Sequence, residues 1–205
     1  MNPLSLPQSE NRERGRPRNF DIDHALDQAM LVFRQRGFHA SSLAELGAAM
    51  QLTVGSIYKA FQDKKTLFLQ VFERYTSLRN AALRQRLERQ ATGRDRLAEL
   101  LRFYFESARA VEGRRGCLVV GSATELLVLD DELSGLVRSA IMNNKKLIVS
   151  LLQQGQQDGT VLASLDAETA AGLILCITFG MRVLGKLQDV AREEDTLQLA
   201  LKILD

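Results

Sequence analysis

The stretch TVGSIYKAF at residues 53–61 places a phenol and an ammonium side by side after a run of small residues. Thr53 can cap a helix here, because its hydroxyl can accept a hydrogen bond from a backbone N–H group of the first turn. Ile57 and Phe61 then share one face, one turn apart, which leaves Tyr58 and Lys59 for the polar side. A helix this short and this poor in apolar surface is unstable alone, so we expect neighbours to hold it and present its polar side to a partner.

A second short helix is predicted just before this one, because Ser42 and Glu45 have the spacing of a capping box. Two short helices joined by a tight turn form a helix-turn-helix pattern, in which the second helix enters the major groove of duplex DNA. Gly55 and Ser56 would let the backbone approach base edges, and Val54 would contact a thymine methyl group. The alternative interpretation of this segment is a helical hairpin packed in a bundle.

The first 18 residues contain the arginines Arg12, Arg14, Arg16 and Arg18 and all three prolines of the chain. This composition predicts a flexible basic arm whose guanidinium groups contact DNA phosphates; a solubilising tail is the alternative. The net charge of +2 by itself indicates no partner.

The 188 residues after Pro17 lack proline, the strongest helix breaker, so the sequence predicts an all-α fold. Asp21 is expected to cap the first helix and Gly37 to end it. The expected domains are the arm at 1–18, a three-helix helix-turn-helix domain at 19–65 and a helical effector-binding and dimerisation domain at 66–205. Beyond the first three helices, further ones are expected at 63–91, 95–112, 117–128, 131–155, 166–187 and 193–204.

Four motifs together resemble the tetracycline-repressor (TetR) family of bacterial transcription regulators: GRPR, RGFHASSLAELGAAM, TVGSIYKAF and FQDKKTLF, between Gly15 and about Tyr75. The resemblance implies a dimer with an N-terminal DNA-binding domain and a helical domain for a small effector. The chain departs from the family pattern at Gly47, Gln51 and Ala60, and Gln51 replaces the glycine usual in the turn. Together with Arg16 and Arg18 of the arm, the positions implied to contact DNA are Ser41, Ser42, Thr53, Val54, Gly55, Ser56, Tyr58, Lys59 and, on a phosphate, Lys64.

The apolar stretch AETAAGLILCITFGMRVLGKL at 167–187 is the expected dimer helix. Its small residues would let two helices approach closely, and a two-fold interface suits a protein that reads two half-sites. The alternative is that the same stripe is core within one chain. The candidate interface residues are Gly172, Leu175, Cys176, Phe179 and Gly180.

Candidate effector residues are Phe103, Cys117 and Met142, although such stripes are also typical of plain core. The stretch RRGCLVVGSATEL resembles part of a branch of the family that includes repressors responding to electrophiles or copper. Arg114 and Arg115 precede Cys117 and would favour its reactive thiolate. The alternative is a small buried thiol that is inert.

Several function classes find little support in the sequence. Two cysteines and two histidines provide no metal-ligand spacing, and neither a nucleophile–base pair nor a phosphate-binding glycine loop is present, so we expect no cofactor and no enzyme. The absence of a signal peptide and of a long apolar run predicts a cytoplasmic protein without a membrane segment. The predicted function is therefore that of a DNA-binding repressor released by a small molecule. A helical interaction module that does not bind DNA is the first alternative, and an enzyme is the second and weaker one.

Overall fold

The computed structural model describes residues 20–189 and 193–205, and all regular secondary structure in these ranges is helical. The predicted all-α fold is confirmed. The helices are α1 (Ile22–Ala40), α2 (Leu43–Met50), α3 (Val54–Phe61), α4 (Lys64–Leu87), α5 (Gly93–Glu106), α6 (Ala110–Arg115), α7 (Leu118–Thr124), α8 (Asp131–Asp158), α9 (Ala167–Leu187) and α10 (Glu193–Leu201), which a 3₁₀ turn at Lys202–Leu204 follows.

The first three helices begin and end where local side-chain chemistry predicts. The Asp21 carboxylate accepts hydrogen bonds from two N–H groups at the start of α1, and Ser42 and Glu45 form the reciprocal capping box of α2. The helical backbone of α1 breaks at Gly37, whose φ of 82° and ψ of −179° suit glycine far better than any other residue. One further turn then leads into α2.

The predicted helix at 95–112 is wrong, because the chain breaks into α5 and α6 at residues 107–109. The buried Ala108 packs its backbone against Gly113 of α6 and Gly185 of α9, and a Cβ atom at either glycine would collide with the Ala108 carbonyl. This close approach turns α6 away from the axis of α5. The helix predicted at 117–128 is also shorter in the structure and ends at Thr124.

Two hydrophobic clusters form the interior. The first joins α1–α3 and the first half of α4 to α7 and the beginning of α8, and the second joins α5, α8, α9 and α10. Because α4 and α8 contribute to both clusters, the three short N-terminal helices are packed directly on the larger helical half. A structural change in that half can therefore reach them through side-chain packing.

Helix α9 is, by length and apolar composition, the one helix in the described ranges that could cross a membrane. It packs against α8, α5 and α6 and contains Arg182, which is buried inside the chain. Only 39% of its most apolar window is buried within the chain, so much of its apolar surface faces outward.

Candidate DNA-binding surface and ligand cavity

One side of helix α3 packs against the protein interior, and the other side is exposed. Ile57 and Phe61 are buried in the first cluster, while Val54 is 40% exposed, Tyr58 is 51% exposed and Lys59 is also exposed. Lys59 has no hydrogen-bond or ion-pair partner among the described residues. The helix therefore presents a methyl-bearing side chain, a phenol and a free ammonium together on one accessible face.

The turn between α2 and α3 depends on two backbone positions. Gly47 is buried, and a Cβ atom there would lie 2.7 Å from the carbonyl oxygen of Leu52, closer than real contacts allow. Gln51 takes the left-handed conformation, with φ 56° and ψ 38°, and its N–H donates to the last turn of α2. Two departures from the family pattern thus fall at the turn itself, where Gln51 accepts the strain that a glycine would avoid.

The N-terminus of α3 is accessible and capped by its own side chains. Thr53 Oγ1 accepts a hydrogen bond from Ser56 N at 3.1 Å, and the two hydroxyls lie 2.9 Å apart. Gly55 is exposed, with only Thr53 Oγ1 within 4 Å of a hypothetical Cβ. Ser42, exposed at the start of α2, lies at a second accessible helix N-terminus. Free N–H groups at such ends suit phosphate oxygens.

Two residues that were expected to contact DNA instead make hydrogen bonds within the chain. Ser41 is buried and its hydroxyl donates to the Phe38 carbonyl at 2.9 Å, so the expectation that this hydroxyl faces DNA is corrected. Lys64 Nζ donates to the carbonyls of Phe38 and Ser41, at 2.9 and 3.0 Å, and lies 4.6 Å from the Phe38 ring centroid. Lys64 thus fastens the start of α4 to the end of α1, with one N–H left for a phosphate.

The remaining expected contacts, Arg16 and Arg18, lie outside the described residues, as does the whole predicted arm.

A cavity of about 160 Å³ lies between α4, α5, α7, α8 and α9. Phe103 and Cys117 line it, as expected, but Met142 does not: that side chain is 49% exposed on α8, so its assignment to an effector site is corrected. Phe179, which we expected at a dimer interface, lines the cavity. The sequence did not indicate Arg79 of α4, which lines the cavity too.

Cys117 caps α7 at its N-terminus and its side chain is buried. Burial raises the pKa of its thiol, but Arg79, the neighbouring Tyr75 hydroxyl and Arg182 together outweigh burial and hold the pKa below its usual value. These cations come from α4 and α9. The adjacent arginines that the sequence indicated point elsewhere: Arg114 pairs with Asp189, and Arg115 lies 3.9 Å from Glu112.

The carbonyl of Gly116 is a junction between the two halves. It accepts hydrogen bonds from Arg34 of α1, with Nε at 2.9 Å, and from Arg182 of α9, with Nη2 at 2.9 Å. Arg34 also pairs with Glu112 at 2.6 Å. Two further nitrogens of Arg182, Nε and Nη1, are buried and have no hydrogen-bond partner in the described part of the chain. Since these residues lie 66 to 82 positions from Gly116, no local pattern in the sequence could have found the junction.

The other end of α7 touches α1 as well. Glu125, the C-cap of α7, accepts a hydrogen bond from the Phe38 N–H at 3.2 Å. Its carboxylate occupies the space beside Gly37, where a Cβ atom would collide with it. One short helix therefore connects a cavity-lining thiol to the break in α1.

The exposed side of α9 carries an apolar stripe. Leu173, Cys176, Gly180, Leu184 and Leu187 are all exposed, at spacings of three and four residues. At Gly180, and likewise at Gly172, a Cβ atom would meet nothing within 4 Å. Of the other interface candidates, Leu175 is partly buried against the second cluster and Phe179 against the first, so both have less exposed surface than the stripe, and their place in a dimer interface stays a prediction.

Within the described ranges, no group of three or more His, Cys, Asp or Glu side chains is arranged to hold a metal ion.

A helix-turn-helix unit with an exposed second helix, packed on a larger helical half that contains a cavity, is the architecture of a DNA-binding transcription regulator. Comparison with protein families specifies the class further. The model described as "Bacterial regulatory proteins, tetR family" matches residues 25–71, and the model "Tetracyclin repressor-like, C-terminal domain" matches residues 93–201. The chain belongs to the TetR family of transcriptional regulators, as its motifs predicted.

Relatives agree with this assignment. The HTH-type transcriptional repressor ComR of Escherichia coli (strain K12) is 27% identical over 96% of this chain and 91% of its own length. A cysteine mutant of the TetR family transcriptional regulator CifR, solved in complex with 26-bp double-strand operator DNA, is 32% identical, with 93% of this chain and 98% of that chain covered and a TM-score of 0.78. The prediction of a DNA-binding transcriptional regulator is confirmed.

Proposed function

We propose that two copies of the chain bind a near-palindromic operator and repress transcription. The observation that supports this most directly is the open face of α3, where Val54, Tyr58 and Lys59 are accessible together above a buried Ile57 and Phe61. In this arrangement Val54 and Lys59 contact base edges, and the helix N-termini at Ser42 and Thr53 bind phosphates. Lys64 positions α1 against α4 and spares one N–H for the backbone of the DNA. For the arm residues Arg16 and Arg18, we propose contacts with DNA phosphates only.

The partner in the proposed dimer is a second copy of the chain, joined through α9 and α10. Leu199 on α10 is 66% exposed and Leu187 on α9 is 78% exposed, so both helices have apolar surface that the single chain leaves uncovered. Two-fold pairing of such helices buries this surface and gives the two recognition helices the symmetry of a palindrome. The open space at Gly172 and Gly180 supports a close approach of the paired helices.

The proposed signal is a small molecule that enters the cavity at Cys117 and Phe103 and lowers DNA affinity. Helix α7 supports this route, since Cys117 lies at one end and Glu125, bonded to Phe38 of α1, at the other. A ligand that moves α7 thereby changes the position of α1 and of the two helices packed on it. A coupling of about 1 to 3 kcal/mol would be typical of such regulation. An electrophile that modifies the Cys117 thiol is one form of this signal, and a ligand held without a covalent bond is the other.

Operator binding is the test of the proposed function. DNase footprinting on the region upstream of the gene should show protection of two half-sites about one helical turn or more apart, with affinity that falls steeply as salt rises. Exchanging Lys59 for Met should weaken that protection, and exchanging the exposed Lys146 of α8 for Met is the matched control. Protection of one isolated half-site by a monomer would contradict the proposed dimer.

We also propose that the protein works in the cytoplasm, with neither a membrane segment nor an enzymatic activity of its own. The apolar surface of α9 is accounted for by the proposed dimer, and Arg182 inside that helix is engaged with Gly116 of the same chain. Co-sedimentation with lipid vesicles in the presence of operator DNA would contradict this assignment.

A further inference from the structure

Arg79 gives the cavity a cationic lining. It is the one charged side chain among the described residues that line the cavity, where the rest are aromatic, aliphatic, hydroxyl, amide or thiol groups. Within residues 20–189 and 193–205, no carboxylate lies within 4.0 Å of its guanidinium, and its one hydrogen bond goes to Ser107 Oγ at 3.3 Å. Its ionisable neighbours include the Tyr75 phenol and the Cys117 thiol. A partly buried guanidinium without a carboxylate partner is unusual, because such charges are normally paired with one.

Aromatic rings fix this guanidinium in place. Its central carbon lies 4.8 Å from the ring centroid of Phe103, 5.7 Å from that of Tyr75 and 5.8 Å from that of Tyr104. Contact with ring faces stabilises the cation and leaves most of its N–H groups unused at the edges. The fork of N–H groups on a guanidinium matches the two oxygens of a carboxylate.

A second donor in the cavity is also unused. The Tyr75 hydroxyl is buried and has no hydrogen-bond partner among the described residues. It lies near the Cys117 thiol. A buried hydroxyl without a partner costs free energy that a ligand acceptor can recover. Tyr75 and Arg79 are one helical turn apart on α4, so both reach the same part of the cavity.

The remaining lining sets the size and the apolar part of the ligand. A cavity of about 160 Å³ is close to the roughly 150 Å³ that holds a benzene ring in a protein interior. Leu83, Val119, Leu136 and Phe179 supply apolar wall for a ring of that size. The cavity also continues past Asn80 and Asn143 into a groove between α4 and α8, which leaves room for a ring substituent.

We propose that the cavity binds a small aromatic carboxylate, with the carboxylate on Arg79 and Tyr75 and the ring against the apolar wall. The regulatory consequence rests on the proposed function, but the binding itself does not. This ligand binds reversibly and forms no covalent bond with Cys117, so its binding is a different event from modification of the thiol.

The test uses benzoate as the probe and benzamide as its neutral isostere, with the full-length protein and isothermal titration calorimetry. Benzoate should bind at least about tenfold more tightly than benzamide, because only the carboxylate pairs with Arg79. In Arg79→Gln, benzoate should lose about tenfold in affinity or more and match benzamide, whose own affinity stays the same. The matched control is Arg138→Gln, an exposed cation on α8 that lines neither the cavity nor the adjoining groove, which should leave both affinities unchanged.

Tyr75→Phe provides a second variant that preserves the volume of the side chain, in case Arg79→Gln does not fold by circular dichroism. It should weaken benzoate by about threefold to tenfold, in keeping with the loss of one hydrogen bond to a charged group. Equal affinities of benzoate and benzamide for the wild type, binding of neither, or an equal loss in Arg138→Gln would overturn the proposal. Operator binding measured in the same samples separates the outcomes: operator binding without benzoate binding removes the ligand class alone, whereas loss of operator binding in the wild type removes the proposed function.

Discussion

Replacing Lys64 by Met tests whether this side chain stabilises the fold or only contacts a DNA phosphate. The Lys64 ammonium donates to two part-buried carbonyls, those of Phe38 and Ser41, and lies over the Phe38 ring. Counting about 1 kcal/mol for each partly exposed hydrogen bond and about 0.5 to 1 kcal/mol for the ring contact gives a loss of roughly 2 to 3 kcal/mol. The Phe38 carbonyl keeps one partner, Ser41 Oγ, whereas the Ser41 carbonyl loses its only partner outside the backbone among the described residues.

Thermal unfolding followed by circular dichroism measures this loss. For a chain of this length, roughly 2 to 3 kcal/mol corresponds to a fall in Tm of about 5 to 10 °C. Lys59→Met is the matched control: Lys59 is exposed and without a partner in the described part of the chain, so its Tm should change by about 1 °C or less while DNA affinity falls. If Lys64 acted only on a phosphate, its removal would leave Tm unchanged and lower the salt dependence of operator binding by about one ion. That pair of results would refute the positioning role.

Four further outcomes follow from the geometry. Thr53→Ala should destabilise the protein by about 1 kcal/mol in urea unfolding, with recovery in Thr53→Ser, because the hydroxyl caps α3. The alkylation rate of Cys117 by iodoacetamide should rise with pH through a midpoint below the usual thiol value of about 8.5, because Arg79 and Arg182 lower its pKa; a midpoint at or above about 8.5 would contradict the assignment. Gly180→Arg should shift the sedimentation equilibrium toward monomer while helicity by circular dichroism stays constant, because the exposed glycine has open space in the single chain. Gly93→Ala should cost about 1 to 3 kcal/mol in thermal unfolding, because its Cβ would collide with the backbone of α8, and an unchanged Tm would show that the two helices separate freely.

Features set by neighbours along the chain could be predicted from the sequence. The caps at Asp21, Ser42 and Thr53 each involve a hydroxyl or carboxylate and an N–H group two or three residues away, so residue type and spacing suffice to find them. The burial of Ile57 and Phe61 follows from helical periodicity in the same way. Prediction failed at Ala108, where the break between α5 and α6 depends on contact with Gly185, a residue 77 positions further along.

Side chains whose partners are distant in sequence could not be assigned by pattern. Lys64 has a side chain suited to DNA contact, yet it binds the carbonyls of Phe38 and Ser41 at the end of α1 because the packing of α4 brings these groups together. Cys117 illustrates the same limit in a different form. The sequence places two arginines beside it, but the cations that lower its pKa are Arg79 and Arg182, since the neighbouring arginines are drawn to surface carboxylates.

The arrangement of α7 gives the proposed signal a physical route from the cavity to α1. Its N-terminal end carries Cys117 and follows the Gly116 carbonyl that binds Arg34 of α1, and its C-terminal end binds Phe38 through Glu125. Because both ends of α7 are fastened to α1, a ligand cannot shift α7 without moving α1 or breaking a hydrogen bond to it. By thermodynamic linkage, DNA that fixes α1 in one position must in turn disfavour any ligand that needs another. In the proposed mechanism, the contacts that stabilise the fold are therefore also the ones through which occupancy of the cavity and occupancy of the operator compete.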